Sequence, residues 1–166
     1  GATGNTYSTG TMLQLSGNTR SGSGSLYDGA ANTAALVAVG SPAAEFCNNL
    51  TIDGYSDWYL PALKEIEIAY FHLRPFTNTN NTTYGANLYA VPARSSNYTA
   101  NNPPQTSVTA FRNTGGNRSN EEFQFGNDHW TSTFLSNTNS QIAYQKSFGG
   151  GAEHDVYSNS TNCTRA

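Results

Sequence analysis

The fold is decided by one stretch of the sequence, Gly54-Tyr55-Ser56-Asp57-Trp58-Tyr59-Leu60-Pro61. It holds three aromatic rings, an acid and a proline of the kind that begins a helix. An amphipathic pattern follows over 62–71, so we expect a helix that starts at Pro61. So many bulky rings at the junction of a loop and a helix predict a structural hub rather than a catalytic apparatus.

Two helices are predicted with clear boundaries. In the helix after Pro61, a buried stripe is expected from Leu63, Ile66 and Tyr70, widened by Ile68 and Phe71, with Lys64, Glu65 and Glu67 on the flank. An earlier helix is predicted from Ser41 as N-cap and Pro42 at the first helical position, ending at Asn48-Asn49. The apolar stretch Thr33 to Val39 is too short for its pattern to separate helix from strand.

Short strands separated by turn residues dominate the last third of the chain, which predicts an α+β domain. The strand candidates are Thr11–Leu15, Glu122–Phe125, His129–Phe134, Ile142–Phe148 and Glu153–Tyr157. Gly149-Gly150-Gly151 is expected to join the last two as a hairpin. The Asn/Thr-rich stretches Thr77–Tyr84 and Asn97–Thr106 are expected to be long surface loops.

Composition limits the class of protein. The chain has 166 residues, 11% of them charged, a net charge of −3, and 10 Tyr, 8 Phe and 2 Trp. This length suits one domain, and the aromatic residues supply enough burial to favour a rigid, loop-rich domain over disorder. The basic residues are scattered, which argues against nucleic-acid binding. No apolar stretch approaches the roughly 18 residues that a membrane-spanning helix needs.

The two cysteines, Cys47 and Cys163, lie far apart in the sequence and form no metal-binding cluster. Two interpretations remain open on the residues alone. They are unrelated buried thiols, or they form one bridge that closes a long loop and contributes about 4 kcal/mol.

Read in order, several segments resemble one family. Its central signature is similar to the stretch 54–61 followed by Glu65, and its later motifs resemble His129-Trp130-Thr131-Ser132-Thr133, Ala143-Tyr144-Gln145-Lys146-Ser147-Phe148 and Thr164-Arg165-Ala166. The family is the C-terminal domain of collagen-like bacterial adhesins and phage tail-fibre proteins, with a fold like C-type lectins and formylglycine-generating enzymes. The resemblance covers 29–166 and leaves 1–28 as an N-terminal extension, or as a first strand and linker.

The resemblance implies a C-type-lectin-like domain with two helices, a small twisted antiparallel sheet and long loops. It implies a disulfide from the first helix to the last strand, between Cys47 and Cys163. It also implies structural roles for Tyr55, Asp57, Trp58, Pro61, Glu65, Trp130 and Arg165. The calcium-site strings of C-type lectins are missing from the sequence, so calcium is possible without support from a motif, and we predict no cofactor and no metal site.

The aromatic residues and acid of the central stretch allow two readings each. Trp58, Tyr55 and Tyr59 could form a platform for stacking sugar rings, although a core position is favoured for Trp58 and for Trp130. Asp57 could bind calcium, although capping the helix or bracing the loop beside it is favoured. The three histidines, His72, His129 and His154, are too distant in sequence to predict a catalytic or metal site.

The expected function is therefore non-enzymatic recognition of a host or cell-surface glycan or protein, at an extracellular site or on a virion. The loops Thr77–Tyr84, Asn97–Thr106 and Ser136–Ser140 are expected to bind the ligand. The candidate ligand-binding residues are Tyr84, Asn97, Tyr98, Asn127, Asp128, Asn137 and Asn139. The alternative is a structural virion or fibre subunit in a homo-oligomer or larger assembly, which two complementary exposed aromatic patches would favour.

Overall fold

A mixed β-sheet and three helices form the scaffold of this chain. The structure, a computed structural model, describes residues 7–11, 23–113, 121–123, 128–135, 142–157 and 161–166. The strands are β1 (Tyr7–Thr11), β2 (Asp128–Phe134), β3 (Ile142–Ser147), β4 (Glu153–Tyr157) and β5 (Thr161–Arg165), in the sheet order β1-β5-β2-β3-β4. The chain is thus α+β, as predicted from the sequence.

The sheet is mixed rather than antiparallel, which corrects the sequence-based expectation. Strands β2 and β5 run parallel, whereas β1–β5, β2–β3 and β3–β4 are antiparallel pairs. In the sequence, the β3–β4 hairpin lies between β2 and β5. In the sheet, β3 pairs with one edge of β2 and β5 pairs with the other edge, parallel to β2. Strand order of this kind depends on long-range pairing and leaves no local signal in the sequence.

The described residues contain three helices where two were predicted. They are α1 (Gly29–Val37), α2 (Pro42–Asn48) and α3 (Leu63–Leu73), and a single 3₁₀ turn covers Thr109–Phe111. Helix α1 starts four residues before the ambiguous apolar stretch at 33–39 and includes the strong helix formers Ala30 and Ala31. Asp28 caps it, since its carboxylate accepts a hydrogen bond from the Ala31 backbone N–H at 2.9 Å.

Helix α2 confirms the prediction made from its capping residues. The Ser41 hydroxyl accepts a hydrogen bond from the Ala44 N–H at 3.4 Å, Pro42 is the first helical residue, and the helix ends at Asn48. Its buried face packs in a core cluster with Trp130, which is 0% exposed. Trp130 is therefore a core residue, as expected.

Helix α3 keeps its predicted buried stripe but not its predicted flank. It begins at Leu63 rather than Pro61, and Leu63, Ile66 and Tyr70 are all buried. The prediction for Glu67 was wrong, because its carboxylate is 0% exposed. A helical pattern predicts which apolar residues face the core, but it does not show which acidic side chain is paired with residues of a distant loop.

The partners of Glu67 form what we call the ionic network, made of Glu67, Arg94, Tyr98, Lys146 and Glu153. Glu67 accepts hydrogen bonds from the Tyr98 hydroxyl at 2.6 Å and from Arg94, with which it forms an ion pair. Lys146 is 0% exposed, and its Nζ donates to the Tyr98 hydroxyl at 3.3 Å and lies 3.4 Å from Glu153 Oε1. The network ties α3, the 80–100 loops and the β3–β4 hairpin together.

Burial and charge act against each other at Lys146. Burial lowers the pKa of its ammonium group to about 8, and the nearby carboxylates of Glu153 and Glu67 limit the decrease. The Tyr98 pKa is raised, first by burial and then by Glu67. Every charged member of the network therefore has an opposite charge beside it, the arrangement that makes burial of such groups tolerable.

Five strands were predicted from the sequence, and each can be compared with the sheet at its described residues. His129–Phe134, Ile142–Phe148 and Glu153–Tyr157 are confirmed as β2, β3 and β4, and the glycine turn joins β3 to β4. Glu122 and Phe123 lie outside any strand, whereas 124–125 fall outside the described residues. Strand β1 covers Tyr7–Thr11 and shares Thr11 with the predicted strand Thr11–Leu15, whose other residues, 12–15, lie outside the described residues.

The implied disulfide is not in the structure, which carries Cys47 and Cys163 as thiols. Both residues are fully buried, and Cys47 packs among apolar side chains of α1, α2 and β2. Burial raises the pKa of the Cys47 thiol to about 12, so it behaves as a small apolar side chain.

Within the described ranges, no helix has the length and hydropathy of a membrane-spanning segment.

Candidate functional site

The central stretch 54–61 forms a projecting turn and one wall of an open pocket. Asp53 and Gly54 have φ values of 53° and 85°, the positive values that a two-residue hairpin turn requires. Ile52 and Tyr55 exchange backbone hydrogen bonds across this turn, at 3.0 Å in each direction. The turn presents Tyr55 to solvent, with 66% of the side chain exposed.

The rest of the stretch is fixed to the scaffold at its end. The Leu60 N–H donates to the Thr33 hydroxyl of α1 at 3.0 Å, and the Pro61 carbonyl accepts from the Ser132 N–H of β2 at 2.8 Å. Leu60 itself is 0% exposed. The aromatic residues just before it are thus carried by a rigid support, which holds a binding surface in place before a ligand arrives.

Glu65 holds the two sides of this wall together. Its Oε2 accepts from the Ala62 N–H at 2.7 Å and from the Gly29 N–H at 3.1 Å, and the Tyr59 hydroxyl donates to Oε1 at 3.4 Å. A Cβ at Gly29 would lie 2.3 Å from Glu65 Oε2 and 2.8 Å from the Tyr59 ring. Only glycine allows α1 to approach the start of α3 so closely.

The pocket itself has a volume of about 510 Å³. It is lined by Tyr55, Asp57, Trp58, Tyr59, Pro61, Glu65, Ile66, Ala69, Phe123, Arg165 and Ala166, and we call this set the aromatic pocket. Its volume falls within the range of roughly 300–1,000 Å³ that is typical of small-molecule sites. Its lining is mainly aromatic and aliphatic, with a few polar groups.

Distant parts of the chain supply the floor of the aromatic pocket. Phe123 is buried and stacks on Phe148 with the ring centroids 3.8 Å apart. The Arg165 guanidinium lies 4.5 Å from the centroid of the Phe123 ring, a cation–π contact. It also donates to the Glu121 carbonyl at 2.7 Å and forms an ion pair with the Glu121 carboxylate at 3.0 Å.

Asp57 and Tyr59 set the polar character of the pocket rim. Asp57 is exposed, and its carboxylate makes no hydrogen bond or ion pair within the part of the chain that the structure describes. The pKa of Tyr59 is raised by burial, by the charge and hydrogen bond of Glu65, and by the charge of Asp28. The rim therefore carries negative charge and one carboxylate with open acceptor positions.

The structure changes the interpretation of the central stretch. Trp58 is half-buried, not a core residue, and its Nε1 donates to the Tyr55 carbonyl at 3.1 Å. Asp57 does not cap α3, whose N-cap is Ala62 with Glu65 as the capping side chain. Six of the residues expected to have structural roles also line one pocket, namely Tyr55, Asp57, Trp58, Pro61, Glu65 and Arg165.

Of the candidate ligand-binding residues that the structure describes, none lines the aromatic pocket. Tyr98 is buried and hydrogen-bonded to Glu67, which corrects its assignment to a binding loop. Tyr84 is half-buried and packs against the apolar cluster that contains Tyr98. Asn97 is exposed but braces its own loop, donating to the Thr83 carbonyl at 2.9 Å. Asp128 lies at the start of β2, 3.9 Å from His154 Nε2.

The remaining candidates, Asn127, Asn137 and Asn139, lie outside the described residues, as does the loop 136–140. Within the described ranges, no group of three or more His, Cys, Asp or Glu side chains is placed to hold a metal ion.

Sequence reasoning missed Phe123, Ile66 and Ala69 as pocket residues. Ile66 and Ala69 belong to α3, and a helical pattern does not reveal that its buried face extends under an open pocket. Phe123 lies in a region with no motif, so no local signal marks it. The only hint in the sequence was the density of rings at 55–59, which also suggested a sugar-stacking platform.

Comparison with known proteins adds no relative: no protein-family model, no curated protein and no solved structure matches this chain.

Proposed function

We propose that this chain is a non-enzymatic surface-recognition module that binds a glycan in the aromatic pocket. The resemblance of its motifs to adhesin and phage tail-fibre domains suggests display on a phage fibre or a bacterial surface protein, at an extracellular or virion surface. This proposal moves the binding site from the loops 77–84 and 97–106 to the rim at 55–59.

The observation that carries the proposal is the exposure of aromatic rings beside a carboxylate on a rigid wall. Tyr55 is 66% exposed, Tyr59 is 37% exposed, and Trp58 is half-buried. Exposed rings offer apolar faces that suit the apolar faces of sugars, and the carboxylate of Asp57 can accept hydrogen bonds from sugar hydroxyl groups. Large exposed aromatic residues in a monomer commonly mark a binding surface.

A glycan array followed by calorimetric titration of the hits tests this proposal. We expect Tyr55→Ala and Trp58→Ala to weaken binding at least about tenfold, which corresponds to about 1.4 kcal/mol. Tyr157→Ala is the matched control, because Tyr157 is also 66% exposed but lies on β4 and does not line the pocket. We expect that variant to bind like the unmodified chain, with and without a calcium chelator.

Equal losses in all three variants, or none in any, would contradict binding at the aromatic pocket. Loss of binding with chelator alone would instead require a calcium site.

A second function, a structural virion or fibre subunit, is favoured by a second exposed apolar surface. Tyr27 and Tyr89 stack with their ring centroids 4.2 Å apart, and both are more than half exposed. Leu88 and Val91 beside them are 71% and 95% exposed. We call these four residues the tyrosine-stack surface. Two separate apolar surfaces on one chain are what a head-to-tail contact between copies would use.

Light scattering distinguishes the two functions. A structural subunit would form large assemblies that Val91→Lys and Tyr89→Lys disperse, with no saccharide bound at any concentration tested. A recognition module would keep its molar mass in these variants and would keep its glycan affinity.

A further inference from the structure

The charges around the aromatic pocket are not balanced. Asp57, Glu65 and Arg165 are the charged residues of its lining. Arg165 is 8% exposed, and its guanidinium pairs with the Glu121 carboxylate at 3.0 Å while it stacks over Phe123. Its charge is thus paired within the protein, and both Nη1 and Nη2 donate to Glu121.

The two carboxylates differ in what they still have to offer. Glu65 already accepts hydrogen bonds from two backbone N–H groups and the Tyr59 hydroxyl. Asp57 is exposed and makes no such contact within the described segments. Asp57 is therefore the acceptor that a ligand meets, and among the described lining residues the one cation, Arg165, is already paired with Glu121.

We infer that the aromatic pocket takes a neutral pyranose and discriminates against sugars that carry a carboxylate or sulfate group. This inference rests on the glycan-binding function proposed above. The apolar face of the sugar stacks on the rings of Trp58 and Tyr55, and adjacent hydroxyl groups donate to the Asp57 carboxylate. An anionic substituent in the same position meets Asp57 and Glu65 with no free cation, so like charges repel it.

Pairs of sugars that differ only at C6 provide the test. Methyl glucoside and methyl glucuronide form one pair, and methyl galactoside and methyl galacturonide form another. Ligand-observed NMR titration should give at least tenfold tighter binding of the neutral member in low salt. The difference should shrink at high salt, because mobile ions screen the repulsion.

Asp57→Asn identifies the group responsible. We expect it to weaken neutral-sugar binding several-fold, because a charge-assisted hydrogen bond is lost, and to reduce the preference for neutral over acidic sugars. Asp155→Asn is the matched control, since Asp155 is an exposed aspartate on β4 outside the pocket. It should leave both affinities unchanged.

The outcomes separate this inference from the proposed function. Tighter binding of the uronates, lost in Trp58→Ala, would overturn the inference while glycan binding in the pocket stands. An unchanged preference in Asp57→Asn would overturn the assignment to Asp57. Failure of every neutral and acidic sugar to bind would overturn the proposed function and the inference with it.

Discussion

Two clusters in this molecule are built from the same kinds of side chain, but one is buried within the scaffold and the other is open to solvent. The ionic network and the aromatic pocket each combine tyrosine, carboxylate and basic side chains. In the network, the Glu67 carboxylate accepts from Asn87 at 2.6 Å and from Tyr98 at 2.6 Å, and Lys146 is fully enclosed. In the pocket, Asp57 is left in solvent and the face of Tyr55 is bare.

The difference teaches that partners, and not residue types, separate scaffold from site. A buried charge whose partners all come from the protein fixes the position of a loop. An exposed carboxylate and exposed rings on a rigid wall keep their interactions available for something else. Substitutions in the first cluster should therefore cost stability, and substitutions in the second should cost binding.

The largest expected loss of stability comes from Glu67→Gln. It removes one charge of a buried pair and places an amide N–H donor where a carboxylate oxygen accepts from Arg94, Asn87 and Tyr98. We expect the free energy of unfolding to fall by about 3 kcal/mol or more, measured by urea denaturation. Glu45→Gln is the control, because Glu45 lies on the exposed face of α2, and it should change the free energy of unfolding by less than about 1 kcal/mol. Similar losses in both variants would remove the distinction between the clusters.

His129 gives the next largest effect, and it depends on pH. Burial, and then the charge of Arg165, lowers the pKa of His129 from 6.5 to about 3. Between these two pH values His129 is protonated in the unfolded chain and neutral in the folded chain. Stability should therefore fall as pH decreases from 6.5 towards 3, by up to about 1.4 kcal/mol per pH unit. Urea denaturation at several pH values should show a shallower decrease for His129→Gln than for the unmodified chain.

His72 provides the control for that measurement, because it is exposed near the end of α3. His72→Gln should keep the full acid sensitivity. If both histidine variants follow the unmodified chain, the acid response belongs to other groups.

Gly29→Ala tests whether the pocket wall is as closely built as its hydrogen bonds indicate. The new Cβ would lie 2.7 Å from the Ala62 nitrogen, so the start of α1 or α3 must shift. We expect a loss of about 1 kcal/mol or more in unfolding free energy, together with weaker glycan binding. Gly24→Ala is the control, because a Cβ there meets nothing within 4 Å. Thermal melting of the two variants gives the comparison directly.

The smallest expected effect on stability belongs to Asp57→Asn. This carboxylate is exposed and makes no hydrogen bond or ion pair with the described residues, so its replacement should change the unfolding free energy by less than about 0.5 kcal/mol. Calorimetry of folding and of sugar binding on the same sample separates the two properties. A large loss of stability would place Asp57 in the scaffold after all.

The sequence predicted elements whose signals are local. Ser41 and Pro42 marked the start of α2, and the spacing of Leu63, Ile66 and Tyr70 marked the buried face of α3. Capping and helical periodicity act over a few residues, so they can be recognised without the rest of the chain. The parallel pairing of β2 with β5 and the burial of Glu67 depend on segments far away, and no local pattern announces them.

The site was predictable in part for the same reason. The density of rings at 55–59 identified an unusual surface, but Trp58 was expected in the core because a large ring next to a helix is commonly buried. Phe123 and Arg165 reach the pocket only through the tertiary fold, so its floor could not be read from either segment alone. The exposure of Asp57 and the pairing of Arg165 with Glu121 are likewise visible only in the folded chain.

The position of β5 has a consequence for synthesis in the cell. It lies between β1 and β2 in the sheet, paired with β1 from Tyr7↔Arg165 to Thr11↔Thr161, although it comes last in sequence among the described elements. The ribosome adds about 5–20 residues per second, so β1 must wait for its neighbour while the intervening elements emerge. During that wait, the open strand edges are exposed to other nascent chains, and contacts of such long sequence separation form slowly. Productive expression should therefore respond to translation rate and to chaperones that shield strand edges.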